Sequence, residues 1–173
     1  MAGPRRSREP ARRLDCHERA LRLLSVQPRS RRELRDRLLR AGFEPEEVET
    51  ELARLEEVGL VDDERFARAL AEQQVLGRGA GGRAVLAALS AKGVDRSTAE
   101  AALAEVERAG EAPDEGERAR ALALARVGRL RGLPPERAYG RLVAFLVRRG
   151  HAPEVAREAA RAALSPGPGE ASP

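Results

Sequence analysis

Cys16 beside His17 pairs a thiol with an imidazole, residue types that ligate metals or build nucleophiles. Adjacent helical positions point about 100° apart, so the two converge poorly on one ion or one substrate atom. The other histidine, His151, is far away in sequence. Gly77-Arg78-Gly79-Ala80-Gly81-Gly82 superficially looks like a phosphate-cradling loop. It lacks the Gly-Lys-Ser/Thr ending and follows a helical pattern instead of a strand, so it reads as a flexible hinge. Asp62-Asp63 could be a carboxylate pair, but at the start of a helical run capping accounts for it better. Nothing here assembles a catalytic centre, a metal site or a cofactor site, and the expectation is a protein that is not an enzyme.

The arginines carry more weight. Arg29, Arg31, Arg32 and Arg35 gather at the start of a helix, where free N–H groups and the positive dipole end already favour anions. Arg31 and Arg35 share one face. Arg148 and Arg149 end the corresponding helix near the C-terminus, with Arg126, Arg129 and Arg131 nearby in sequence. Solvated helix faces explain part of this set, and a GC-rich genome explains why Lys92 is the only lysine. Arginine nonetheless stays charged and pairs bidentately with phosphate or carboxylate. Net charge is only +4, yet residues 1–42 carry 13 Arg against 5 acids and residues 43–72 carry 11 acids against 3 Arg. Two accounts stand equally: separate faces for a polyanion and for a basic partner, or pairing between neighbouring helices. With Phe43, Phe66, Tyr139 and Phe145 as the only aromatics, there is no platform on which to stack bases.

The elements that must position these residues form a degenerate three-fold repeat. Glycines at 42, 93 and 150 each follow apolar residues eight and four positions back: Leu34 and Leu38, Val85 and Leu89, Leu142 and Leu146. Apolar residues recur six, ten and thirteen positions on: Val48, Leu52, Leu55; Ala99, Leu103, Val106; Ala156, Ala160, Ala163. Such a period means stacked helical modules. The first helix is expected from Asp15 to Val26, with Ala20, Leu21 and Leu24 on one side, broken by Pro28. Ser30 and Glu33 form a capping box for the second, which ends at Gly42; the third starts at Pro45 and stops near Gly59. In the second module Asp62-Asp63 starts a helix, a helix from 83 to 92 ends at Gly93, and Ser97 with Glu100 reads as another capping box. The third module has helices from Glu115 to Leu130, Glu136 to Arg149 and from Pro153 onward. No segment alternates like a strand.

The fold is therefore expected to be all-α: a disordered basic tail over 1–14, three-helix repeats over 15–61, 62–109 and 115–164, a linker over 110–114 and a disordered tail over 165–173. A module of 45–50 residues buries too little to be very stable alone, so the modules should support one another. A single cysteine fits a reducing, cytoplasmic setting, and no stretch approaches the ~20 apolar residues of a membrane span.

The run Arg29-Ser30-Arg31-Arg32-Glu33-Leu34, then Leu38 and Gly42, then Leu55 through Gly59 to Asp62-Asp63-Glu64-Arg65-Phe66-Ala67, resembles the RecX family of bacterial regulatory proteins. Leu89-Ser90-Ala91-Lys92-Gly93-Val94 resembles it too. The likeness is specific over about residues 15–106 and rests on helix pattern beyond. The helix after Phe66 lacks the aromatics common in relatives, and Gly77–Gly82 is unusually loose. The resemblance implies an elongated, curved array of three tandem three-helix repeats that binds the RecA recombinase and its filament on single-stranded DNA. It implies mostly inhibition of strand exchange, ATP hydrolysis and co-protease activity, in DNA repair and the SOS response. Weak direct DNA binding and a monomeric state are further expectations. The motif positions Ser30, Glu33, Leu34, Gly42, Asp62, Asp63, Phe66 and Gly93 look like caps and core. The alternative is a DNA-binding transcriptional regulator built from helix-turn-helix units. The residues 83–92 are mostly Ala, Leu and Val, which makes a poor recognition helix. A helical scaffold with no nucleic-acid role is a third reading.

Overall fold

The computed structural model describes residues 14–110 and 113–165. The expected terminal tails and the middle of the linker fall outside the described residues. Within them all regular structure is helical, as expected. The helices are α1 (Cys16–Val26), α2 (Arg31–Arg40), α3 (Pro45–Glu57), α4 (Asp63–Arg78), α5 (Gly82–Ala91), α6 (Arg96–Arg108), α7 (Glu115–Val127), α8 (Pro135–Arg148) and α9 (Pro153–Leu164). The helix expected to run to Leu130 tightens into a 3-10 turn over Gly128–Leu130.

The chain divides into two compact units, one ending at Val61 and one beginning at Asp62. The first packs α1, α2 and α3 around Leu34, Leu38, Val48, Leu52 and Leu55, all fully buried. Leu21, expected on the inner face of α1, is partly exposed; Cys16 and Ala20 supply that face, with Leu23 and Leu24 packed beside them. The second unit contains two cores. Ala67, Ala71, Val75, Val85 and Leu89 centre the one made by α4–α6. The other, made by α7–α9, is built on alanine: Ala119 and Ala123 of α7, and Ala156, Ala159, Ala160 and Ala163 of α9 are buried. Short side chains let helix axes approach to the near end of the usual ~8–10 Å range. A core with few aromatics is filled in this way.

The repeat has one physical cause. Gly42, Gly93 and Gly150 take φ of 92°, 81° and 89°. In each copy the next residue's N–H reaches back five residues to a helix carbonyl: Phe43 to Leu38, Val94 to Leu89 and His151 to Leu146. This is the Schellman closure, and it requires the left-handed conformation that glycine adopts without strain. At the helix starts, Asp15 with Glu18 and Asp114 with Glu117 form complete capping boxes. Ser30 Oγ accepts from Glu33 N at 3.1 Å, one half of the expected box, while the Glu33 carboxylate pairs with Arg29 and Arg37; Asp62 accepts from Arg65 N at 2.8 Å, as expected. The expected box at Ser97 is displaced. Asp95 caps α6 by accepting from Thr98 N at 3.1 Å, and the Ser97 hydroxyl donates to the same carboxylate at 2.6 Å. A carboxylate at a helix N-terminus gains from the dipole as well as the hydrogen bond, so it takes the capping position two residues earlier.

Candidate partner-binding site

The basic start of α2 is largely neutralised from within the first unit. Arg29 is only 6% exposed; its Nε donates to the Leu23 carbonyl at 3.2 Å and its guanidinium pairs with Glu33. Glu33 also receives Arg37 at 3.1 Å. Arg31 reaches Glu49 at 2.7 Å and Glu56 at 2.9 Å, and Arg35 pairs with the same Glu49. These hydrogen bonds, from Arg35 first and Arg31 second, hold the Glu49 carboxyl below its usual range. Pairing between α2 and α3 thus takes up part of the charge segregation in the sequence, through Arg31 and Arg35 with Glu49 and Glu56. Arg32 is exposed. The motif residues take structural places: Leu34 in the core, Gly42 and Gly93 at left-handed caps, Asp62 at an N-cap with Asp63 beginning the helix, and Phe66 packed half-buried on the α4–α6 core.

The glycine-rich run is not a hinge. α4 continues through Gly77 to Arg78, Gly79 closes it at φ 59°, and Gly81 caps the start of α5. This turn is locked onto the end of α8, about seventy residues later. Gly81 N donates to Arg149 O at 3.0 Å, and Arg83 N donates to Gly150 O at 3.2 Å. Arg149 Nη2 donates to Arg78 O at 2.9 Å, and His151 Nε2 lies 3.1 Å from Gly79 O. A Cβ on Gly81 would sit 2.3 Å from His151 N, and one on Gly150 would sit 2.3 Å from Ala84 Cβ. Both glycines permit backbone to meet backbone, which a composition-based reading as a loose loop cannot detect. A second strut is Arg118 of α7. It is 4% exposed, donates to Pro113 O at 2.7 Å and reaches Glu107 of α6 at 3.3 Å, so it links α7 to α6.

Of the C-terminal arginines, Arg126 lies over the Phe145 ring at 4.5 Å from its centroid, and Arg149 lies at 6.0 Å from the same ring. Arg129, Arg131 and Arg148 are exposed. The structure thus brings Arg126 and Arg149 together on one ring and leaves the α2 arginines in a different unit. Arg78 and Arg83 were not singled out from the sequence, because only the contact with α8 makes them neighbours of Arg148 and Arg149.

Cys16 and His17 do not converge on chemistry. Burial first, then Glu47 and Glu51, pushes the Cys16 thiol up to about 11, the opposite of an activated thiolate. His17 Nδ1 instead pairs with Glu51 at 2.7 Å. Among the described residues no three His, Cys, Asp or Glu side chains are grouped to hold a metal, and no helix is long and apolar enough to cross a membrane.

Three-helix modules in tandem, with charged helix ends and side chains committed to caps and packing, define a modular all-α protein of tandem three-helix repeats. Comparison with known proteins narrows this. The model for RecX, first three-helix domain, matches residues 16–55, and that for RecX, second three-helix domain, matches residues 62–103. The regulatory protein RecX of Streptomyces lividans is 36% identical over 83% of this chain and 74% of its own length. That of Thermobifida fusca is 39% identical over 83% and 76%. The crystal structure of RecX from Lactobacillus salivarius superposes with a TM-score of 0.74 at 20% identity, covering 86% of this chain and 94% of that one. The chain belongs to the RecX family of regulatory proteins.

Proposed function

We propose that this chain binds the RecA recombinase, above all its filament on single-stranded DNA, and restrains it in the cytoplasm as a monomer. The observation that carries this is the pair of matched three-helix domains within relatives that are RecX over most of their length. Three repeats, over 15–61, 62–109 and 115–164, supply several weak contacts whose effective concentrations combine, so avidity for a repetitive filament exceeds that of any one repeat. The outcome is less strand exchange, ATP hydrolysis and co-protease activity, with consequences for DNA repair and the SOS response. Candidate contacts are Arg32, Arg129, Arg131 and Arg148, which are exposed, and Arg126 and Arg149 beside Phe145. Arg31 and Arg35 can join by exchanging Glu49 for a partner's anion, whereas Arg29 is held inside. The pairing of Arg31 and Arg35 with α3 weighs against α2 as the basic recognition surface of a sequence-specific regulator.

The test is ATP hydrolysis by the cognate RecA on single-stranded DNA, titrated with this protein. Hydrolysis should fall at or below one protein per RecA monomer. No change at stoichiometric levels sinks the proposal. Tight, sequence-specific duplex binding in its place would support the transcriptional regulator.

A further inference from the structure

We infer that the groove between the starts of α1 and α3 is the docking site of this chain's own basic N-terminal segment, residues 1–13. The groove encloses about 370 Å³, and its walls carry Asp15, Glu46, Glu47 and Glu51. The basic side chain among its lining residues is His17, whose Nδ1 lies 2.7 Å from Glu51 Oε1. The segment outside the described residues ends at residue 13, two positions before Asp15 on the groove wall. It carries Arg5, Arg6, Arg8, Arg12 and Arg13 against the single acid Glu9.

Glu51 is the residue that calls for a cation. It is 8% exposed, and among the described residues its carboxylate is paired with His17 alone. A neutral imidazole supplies a hydrogen bond but no counter-charge, and a buried carboxylate without one is costly. Glu46 and Glu47 are exposed, and neither has an ion-pair partner among the described residues. Both sit in the first turn of α3, where a carboxylate offsets the dipole, and Asp15 caps α1 with Oδ1. Those roles leave carboxylate oxygens in the groove for a guanidinium. Further along α3, by contrast, Glu49 and Glu56 are already matched by arginines of α2. The Cys16 thiol on the same wall reports the negative field: after burial, Glu47, Glu51 and Asp15 are what raise its pKa.

The tether selects the occupant. Guanidinium stays charged and pairs bidentately with carboxylate, which suits a wall of acids. Arg13, Arg12 and Arg8 precede Asp15 by two, three and seven residues. At ~3.3–3.6 Å per extended residue, that length brings Arg8 within reach of every carboxylate of the groove. Attachment to α1 holds the segment near the groove at an effective concentration in the ~mM range, an advantage that a separate basic peptide lacks. Exposed ion pairs are individually weak and screened by salt, so the contact is a reversible latch. This inference concerns the protein alone and does not rest on recombinase binding.

The test places a nitroxide on Ser7→Cys in the full chain and reads paramagnetic broadening of backbone amides by NMR. Cys16 is buried and stays a thiol, so it escapes the label. At low salt the amides of residues 46–51 should broaden strongly. Three changes should each weaken that broadening several-fold. The first is about 1 M salt, where the Debye length is ~3 Å. The second is Glu46→Gln with Glu47→Gln, at exposed positions that leave the core untouched. The third is Ser at positions 5, 6, 8, 12 and 13, which keeps the tether and the label but removes the charge. Equal broadening in all chains at both salt levels would mean that the tether alone carries the label there, and would overturn the inference. Broadening centred away from the start of α3 would overturn it as well. A mixture of labelled chain with unlabelled, isotope-enriched chain tests the remaining occupant: broadening of 46–51 in the unlabelled copy would assign the groove to a second molecule's tail and refute an internal latch.

Discussion

His151 stands where the first two repeats place Phe43 and Val94, directly after the capping glycine. In those copies the position is simply apolar. In the third it is a fully buried imidazole whose Nε2 donates to the Gly79 carbonyl, while Nδ1 lies 3.4 Å from the Glu115 carboxylate. Burial is the largest influence on this group and lowers its pKa; Glu115 opposes that, Arg118 reinforces it, and the net direction is downward. The unfolded chain takes up this proton near pH 6.5, whereas the folded protein does so only at lower pH. The unfolded state then binds more protons in the interval between. Stability from the neutral ring is thus fully present above about pH 6.5 and is lost as pH falls through that interval. Thermal melts from pH 7.5 to 5 should show Tm falling for the wild type. His151→Val, which restores the residue type of the second repeat, should make that fall shallower. An identical pH slope in both proteins would show that His151 does not govern it.

Helix ends separate two demands on glycine. Gly42 and Gly150 have nearly the same φ, 92° and 89°, yet nothing lies within 4 Å of a Cβ added at Gly42, whereas Gly150 faces Ala84 at 2.3 Å. Gly42→Ala should cost about 1–2 kcal/mol, the left-handed penalty alone. Gly150→Ala adds overlap with packed backbone, worth about 1–3 kcal/mol more. Denaturant midpoints of the two variants check the order, and equal shifts would refute the close approach. A second comparison concerns α6: Asp95→Ala should lower Tm more than Ser97→Ala, because Asp95 caps the helix while Ser97 only donates to it. A larger effect from Ser97 would restore the sequence-based cap. These cases show which parts of the fold were legible. Helix existence and most boundaries follow from local signals, since a glycine cap and apolar residues at −8 and −4 act within a few residues of each other. The shift from Ser97 to Asp95 reflects two competing caps within one turn, which local pattern ranks poorly. The order in Gly77–Gly82 was not legible, because glycine composition signals freedom while the constraint comes from Arg149, Gly150 and His151, distant in sequence. For the same reason the basic residues were identifiable as residues but not as a site. Their type is local, whereas Arg31's pairing with Glu49 and Arg83's proximity to Gly150 depend on the tertiary fold.

At the scale of the molecule, the second unit gains its cohesion from a small area of backbone contact. The α4–α6 and α7–α9 modules each have a core of mostly alanine, valine and leucine, and three-helix bodies of this size are marginal by themselves. The joint couples them through hydrogen bonds that both sides require: Gly81 N to Arg149 O, Arg83 N to Gly150 O and His151 to Gly79 O. Gly81 has φ −76°, which any residue adopts, so its need to be glycine comes entirely from the 2.3 Å approach of His151 N. Gly81→Ala should therefore leave the helices intact while forcing the modules apart. Hydrogen exchange followed by mass spectrometry on the full chain reads this directly, since local opening is reported amide by amide. In the wild type, peptides covering 79–84 and 148–152 should exchange slowly and together with the helices on both sides. In the Gly81→Ala variant those peptides should lose protection first, and α4–α6 should then open at a different denaturant concentration from α7–α9. Retained protection at 79–84 and 148–152, with one common midpoint for all six helices, would mean that the two modules hold together by side-chain packing alone and that the glycine joint is incidental to their coupling.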